Sequence, residues 1–123
     1  MIVIDSSIWI DHLHASDERV IELTEAGAVL IHPFVIGEIM LGNIRNRTQV
    51  VESLVDLPEA DIAEHFEVLA LLENARLFGR GIGFIDLNVL ASVLITPKAR
   101  LWTRDKRLLI VANELGIAYA PDH

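Results

Sequence analysis

Four carboxylates of this chain stand where an acidic side chain has unusual neighbours. Asp5 directly follows the apolar run Met1–Ile4, and Asp105 follows a second short apolar segment late in the chain. Glu38 lies in an otherwise apolar segment, and Asp86 lies in another. A charge in such surroundings costs free energy unless a partner compensates for it. Four such residues in one short chain point to one shared site more readily than to four separate accidents.

The chemistry that converging carboxylates can perform follows from their charge. They repel one another, and some take up protons unless a cation intervenes. Oxygen ligands favour hard divalent ions, namely Mg²⁺ or Mn²⁺. One or two ions held in this way activate water, orient a scissile phosphate and stabilise the leaving oxygen, which is the chemistry of phosphodiester hydrolysis.

Each acid also has a purely structural explanation. Asp86 and Asp105 are suited to capping helix N-termini, a contact worth about 1 kcal/mol. Asp5 can accept hydrogen bonds from the backbone amides that follow it. Glu38 is the hardest to explain in this way, because an acid in the middle of an apolar helix gains nothing obvious by burial.

The elements that must position these acids alternate between strand and helix. Uninterrupted apolar runs predict buried strands, and capping residues, glycines and prolines mark the helix boundaries. The predicted strands are Met1–Ile4, Ala28–Ile31, Arg100–Thr103 and Ile117–Tyr119. The predicted helices are Ser7–Leu13 after an N-cap at Ser6 or Ser7, Asp17–Glu25, Pro33–Leu41, Thr48–Val55, Asp61–Phe78, Asp86 to Pro97, and Asp105–Leu115.

This alternation predicts a parallel sheet that helices cover on both faces. The carboxyl ends of parallel strands meet at one edge of the sheet, where ligands bind in open α/β folds. Asp5 and Asp105 end strands at that edge, and the helices that carry Glu38 and Asp86 can reach it. At 123 residues, the chain suits a single domain spanning 1–123.

Composition narrows the class of protein further. Hydrophobic residues make up 52% of the chain, yet no apolar run approaches the ~18 residues that span a bilayer. The absence of cysteine excludes disulfides and cysteine-ligated zinc. A net charge of −8 argues against binding nucleic acid through a broad basic surface. We expect a cytoplasmic protein without a membrane segment, whose excess hydrophobicity is buried in an oligomer.

Three further groups of residues carry ionisable or aromatic side chains. A late basic group around Asp105 is placed to hold a polynucleotide backbone, and a solvated charged face explains it equally well. The five histidines have no zinc-ligand spacing and are expected at the surface, while the two tryptophans are expected to pack rather than to stack on bases. The basic group is Lys98, Arg100, Arg104, Lys106 and Arg107; the histidines are His12, His14, His32, His65 and His123; the tryptophans are Trp9 and Trp102.

The acidic motifs resemble those of the PIN-domain ribonucleases, specifically the VapC-type toxins of bacterial and archaeal toxin–antitoxin modules. Val3–Asp11 resembles the opening of that family, and Val35–Gly42 resembles its V-x-x-E-hydrophobic-x-x-G helix. Asp86–Ser92 resembles its third acidic motif, and Leu101–Asp105 its T-x-D motif. Each motif alone is weakly specific, but their order and spacing cover nearly the whole of a short chain.

The resemblance implies a three-layer α/β/α fold with a central parallel sheet. It implies a metal-dependent endoribonuclease in which Asp5, Glu38, Asp86 and Asp105 bind Mg²⁺ or Mn²⁺ and Thr103 supplies a supporting hydroxyl. It also implies a homodimer that acts on RNA and is inhibited by a cognate antitoxin, whose tail covers the acidic pocket.

Two other classes of function remain open at this point. A receiver-like phosphoacceptor domain also uses Mg²⁺ and carboxylates at strand ends, but it needs an adjacent acidic pair and a lysine that the sequence does not offer at suitable positions. A non-catalytic binding module would keep the fold, although all four acids are present. Loss of RNA cleavage in Asp5→Asn separates the nuclease from the binding module.

Overall fold

The computed structural model of the chain describes residues 1–121, and His123 lies outside the described residues. The described residues form three strands and seven helices. The strands are β1 (Ile2–Ile4), β2 (Val29–Leu30) and β3 (Arg100–Trp102). The helices are α1 (Ser6–His14), α2 (Glu18–Glu25), α3 (Pro33–Met40), α4 (Arg47–Val55), α5 (His65–Asn74), α6 (Phe84–Ile95) and α7 (Lys106–Glu114).

The strands form a parallel sheet in the order β2-β1-β3. Every residue of the central strand β1 is buried, which requires that helices cover both faces of the sheet. The predicted three-layer α/β/α arrangement is therefore confirmed. Because Ile4 pairs with Trp102, the residues that follow β1 and β3 emerge side by side at the carboxyl edge.

Both edges of the sheet are extended by single bridges rather than by full strands. Ile31 pairs with Glu59 next to β2, and Leu101 pairs with Ala118 next to β3. The strand predicted over Ile117–Tyr119 is thus reduced to one bridge at Ala118. The amide of Leu101 donates to the carbonyl of Ile117, and the carbonyl of Leu101 accepts from the amide of Tyr119. Such short edges leave few unpaired backbone groups exposed.

The helix predicted over Asp61–Phe78 is shorter, running from His65 to Asn74. Its expected first turn is not helical, because tertiary hydrogen bonds engage the backbone there. The amide of Asp61 donates to Oγ1 of Thr96 (2.9 Å), and that of Ala63 donates to Oγ of Ser92 (3.1 Å). The local apolar spacing was outweighed by contacts that the sequence pattern does not reveal.

Two predicted helix starts are also shifted. Helix α1 begins at Ser6 with Asp5 in the N-cap position, so neither serine is the cap. Helix α6 begins at Phe84 with Gly83 as its N-cap, which places Asp86 inside the first turn. The capping explanation of Asp86 is therefore wrong. Among residues 1–121, no helix is both long enough and apolar enough to traverse a lipid bilayer.

Candidate metal centre

Asp5 lies at the carboxyl end of β1 and only 3% of it is exposed. Its Oδ2 accepts two hydrogen bonds, from Oγ of Ser7 (2.7 Å) and from Oγ1 of Thr103 (2.8 Å). Its Oδ1 is buried and has no partner within the described residues. A buried carboxylate oxygen without a donor is costly, so this atom is fitted to receive a cation.

Glu38 reaches the same edge from helix α3, which packs against α1. The carboxylate is partly buried, and its Oε1 accepts a hydrogen bond from Oγ of Ser6 at 3.2 Å. Burial raises the pKa of Glu38, the charge of Asp5 adds to the rise, and the bond from Ser6 opposes it. Glu38, in the middle of an apolar helix, therefore has its carboxylate near that of Asp5.

Asp86 completes a group of three carboxylates. One oxygen each from Asp5, Glu38 and Asp86 lies within 4.8 Å of the other two. Burial, together with the charges of Asp5, Glu38 and Asp105, raises the pKa of Asp86 to about 6. Burial is the largest cause of this rise, and the neighbouring acids add a negative charge that a bound cation would offset.

Asp105 lies at the rim of this group. It caps α7, and its Oδ1 accepts hydrogen bonds from the amides of Arg107 (3.0 Å) and Leu108 (3.1 Å). The capping explanation is therefore right for Asp105, yet its charge also acts on Asp86. Thr103 links the rim to the centre, because its hydroxyl donates to Asp5 and accepts from the amide of Asp105 (3.1 Å).

The donor set fits a hard divalent cation. It consists of carboxylate oxygens, two of the acids have a raised pKa, and the buried Oδ1 of Asp5 lacks a partner. These are the features that Mg²⁺ and Mn²⁺ sites present. The arrangement can therefore support metal-assisted hydrolysis of a phosphate ester.

Comparison with known proteins identifies the family of this chain. A family model described as the PIN domain matches residues 2–114. The chain belongs to the PIN-domain family. Two curated relatives from Mycobacterium tuberculosis, of strains CDC 1551 / Oshkosh and ATCC 25618 / H37Rv, both bear the name Ribonuclease VapC32. Each is 45% identical to this PIN domain over 122 residues, which cover 99% of this chain and 98% of the relative.

Sequence reasoning missed the two serines that hold the acids of this PIN domain. Ser6 orients Glu38, and Ser7 orients Asp5 while accepting a hydrogen bond from the amide of Arg104 at 3.2 Å. The available signal was the position of two hydroxyls directly after a strand-end aspartate. The same signal is typical of a helix cap, and the partner of Ser6 is 32 residues away in the sequence.

His32 was also misjudged, since only 2% of it is exposed. Its Nδ1 accepts from the amide of Phe34 (3.0 Å), so its Nε2 carries the proton and donates to Oγ of Ser92 (3.1 Å). It thereby caps α3, the helix that carries Glu38, and ties that helix to α6, which carries Asp86. Burial lowers the pKa of His32 to about 4, so the ring is neutral at physiological pH.

The predicted basic group does not lie together at the carboxyl edge. The carbonyl of Lys98 accepts from the amino terminus and the amide of Arg100 donates to Met1, which places both at the opposite edge of the sheet. Arg104 lies at the carboxyl edge but forms ion pairs with Asp11 (2.7 Å) and Asp17 (2.9 Å). Trp9 and Trp102 are buried, as predicted.

Proposed function

We propose that this PIN domain is a metal-dependent endoribonuclease, the toxin of a toxin–antitoxin pair, that hydrolyses phosphodiester bonds of RNA. The observation that carries the proposal is the convergence of Asp5, Glu38 and Asp86, together with the buried Oδ1 of Asp5 that has no partner in the described residues. The printed name of the relatives, Ribonuclease VapC32, supports RNA as the substrate and supports the VapC type.

Asp5, Glu38 and Asp86 would hold the ion, Mg²⁺ or Mn²⁺, with Asp105 as the fourth acid at the rim. When bound, such an ion lowers the pKa of the attacking water and offsets charge on the scissile phosphate. Thr103 contributes a supporting hydroxyl, because it occupies Oδ2 of Asp5 and leaves Oδ1 to the ion. Within residues 1–121, Oδ2 of Asp105 likewise has no hydrogen-bond partner.

The roles of the surrounding residues follow from their contacts. Ser6 restrains Oε1 of Glu38, and Ser7 restrains Oδ2 of Asp5. Ligands fixed by their neighbours in this way lose less freedom when the ion binds. Because the pKa of Asp86 is raised to about 6, protons compete with the metal for this carboxylate as the pH falls to 6 and below.

We further propose that the chain is one domain over residues 1–123 and forms a homodimer in the cytoplasm, where its RNA substrates are found. Large apolar side chains that remain exposed in the single chain support a homodimer. Leu41, at the end of α3, is 88% exposed and Phe66, on α5, is 69% exposed.

A cognate antitoxin is the proposed protein partner, with a tail that covers the acidic pocket. A groove of about 500 Å³ between α1, α2 and α4, which none of the four acids lines, supports binding of another segment of the antitoxin. Its lining includes Trp9, Ile21 and Leu54, and the indole N–H of Trp9 is buried without a partner in the described residues. An incoming segment with an apolar face would cover the apolar part of this lining.

The test is cleavage of total cellular RNA by purified protein with Mg²⁺ or Mn²⁺ and with EDTA. Asp5→Asn removes one charge from the centre, and Asp56→Asn, at the exposed end of α4, is the matched control. We expect discrete fragments from the wild type and the control with metal, and none from Asp5→Asn. Cleavage that persists in EDTA or in Asp5→Asn would refute the assignment, and a folded, metal-binding protein that cuts no RNA would favour a binding module.

A further inference from the structure

Arg107 lies near the carboxyl edge, and its guanidinium forms no ion pair with the described residues. Ion pairs within 4.0 Å engage Arg19, Arg80 and Arg104 in the described part of the chain. Arg107 forms none there, although it lies in the first turn of α7, two residues after Asp105. Arg107 is exposed, and no carboxylate of the described residues binds its guanidinium, so it is available to an anion from outside.

The Arg107 side chain lies against the loop before α6. A Cβ built on Gly81 would lie 2.8 Å from Nη1, 2.9 Å from Cδ and 3.1 Å from Cζ of Arg107. Gly81 also has φ +78°, a conformation that a side chain disfavours. The loop therefore excludes a side chain at the point where the guanidinium crosses it.

This contact joins the two elements that bring Asp86 and Asp105 to the site. Gly81 lies two residues before the N-cap of α6, and Arg107 lies in the first turn of α7. The Arg107 side chain consequently lies against the loop that leads into α6, near the starts of both helices. A cation is useful here, because the chain carries a net charge of −8 and its substrate is a polyanion.

We propose that Arg107 binds a backbone phosphate of the RNA next to the scissile one, and that Gly81 is required to seat it. This inference rests on the proposed function. The guanidinium provides paired N–H donors that match phosphate oxygens. Arg107 is a substrate-binding residue that does not touch the metal, so its loss should weaken substrate binding without weakening metal binding.

The experiment measures metal-dependent cleavage of a quenched fluorescent single-stranded RNA of mixed sequence at several salt concentrations. We expect Arg107→Ala to raise KM about tenfold with little change in kcat, the pattern of a contact made equally in ground and transition states. The slope of log(kcat/KM) against log[salt] should fall by about 0.7, the value for one phosphate contact on a single strand. The KM of Arg107→Lys should lie between those of the wild type and Arg107→Ala.

Arg100→Ala is the matched control, because that arginine lies at the opposite edge, where it bonds to the carbonyl of Gly116. It should leave KM and the salt slope unchanged. Gly81→Ala should raise KM in the wild type but not further in Arg107→Ala, since it acts by displacing that side chain. This comparison separates the seating role from any loss of stability in the glycine variant.

Three outcomes would overturn the inference. If the wild type cuts the probe and Arg107→Ala matches Arg100→Ala in KM and salt slope, Arg107 does not bind the substrate. If Arg107→Ala lowers kcat at constant KM, or lessens the rise in Tm that Mg²⁺ produces, it acts on the metal centre instead. If the wild type cuts no RNA, the proposed function fails and the inference fails with it.

Discussion

At the scale of single residues, the site depends on what each carboxylate oxygen does. Oδ2 of Asp5 is bound by two hydroxyls, while Oδ1 is buried and unpartnered within the described residues. A buried acid of purely structural function would have both oxygens satisfied. The asymmetry therefore favours a metal-binding role, and the hydroxyls of Ser7 and Thr103 fix which oxygen is left available.

Asp86 permits a test of convergence that needs no activity. Its pKa is raised from 3.8 to about 6, so without metal its contribution to stability is full below pH 4 and is lost as the pH rises through 6. That difference in pKa corresponds to about 3 kcal/mol at full burial, and partial exposure reduces it to about 1–2 kcal/mol. We expect Asp86→Asn in EDTA to melt several degrees higher than the wild type at pH 7.5, with the gap narrowing toward pH 4.

Asp56→Asn should show no such gap when it is measured by the same calorimetric scans. An Asp86→Asn variant that melts at or below the wild-type temperature at pH 7.5 would argue against mutual repulsion at the site.

At the scale of elements, one buried histidine joins the helices that carry two of the acids. His32 caps α3 and bonds to Ser92 of α6, whose hydroxyl also accepts from the amide of Ala63. The same network holds the chain before α5 in a non-helical form. The relative position of Glu38 and Asp86 therefore depends on a residue that touches neither of them.

The pKa of His32 predicts acid sensitivity of this network. Because burial lowers it from 6.5 to about 4, its contribution to stability is full above pH 6.5 and is lost as the pH falls through 4. The expected loss is about 2–3 kcal/mol by pH 4. We expect His32→Asn, added to an Asp86→Asn background, to lower stability at pH 7 because the bond to Ser92 is lost. The same change should abolish most of the loss of stability between pH 7 and 4. Urea unfolding over this pH range measures both effects.

The asparagine is chosen because its side chain can still cap α3. His65→Asn, on an exposed position of α5, should retain the full acid loss. If His32→Asn loses as much stability between pH 7 and 4 as its parent, another group governs the acid sensitivity.

At the scale of the whole molecule, the proposed function requires an acidic protein to bind a polyanion. The net charge of −8 opposes this, and three of the five late basic residues are paired or lie at the opposite edge of the sheet. The ion and a few cations at the rim therefore have to reverse the local sign of the charge. Without the ion, repulsion between the converging acids lowers the stability of the fold.

Metal binding should consequently stabilise the fold. We expect Mg²⁺ or Mn²⁺ to raise the Tm of the wild type, with about 2.7 kcal/mol gained at about 100 times Kd. The rise should be much smaller in Asp5→Asn and unchanged in Asp56→Asn, as measured by thermal melting over a metal titration. Equal shifts in the wild type and Asp5→Asn would place the ion elsewhere.

The sequence by itself determined the class of fold, the family and the acids to examine. Apolar runs such as Met1–Ile4 and the helix signals after them are local, and a parallel sheet then brings strand ends to one edge. For this reason Asp5, Glu38 and Asp86 could be grouped before any distance was known. Asp105 could be grouped with them, but its position at the rim of the site could not be predicted.

Only the tertiary structure decided the features that depend on contacts between distant segments. The burial of His32, the shortened start of α5 and the dispersal of the basic residues all depend on partners that are tens of residues away. Ser92, for example, bonds to two segments that precede it by 60 and 29 residues. A local pattern records propensity and periodicity, whereas these features depend on which side chains packing brings together.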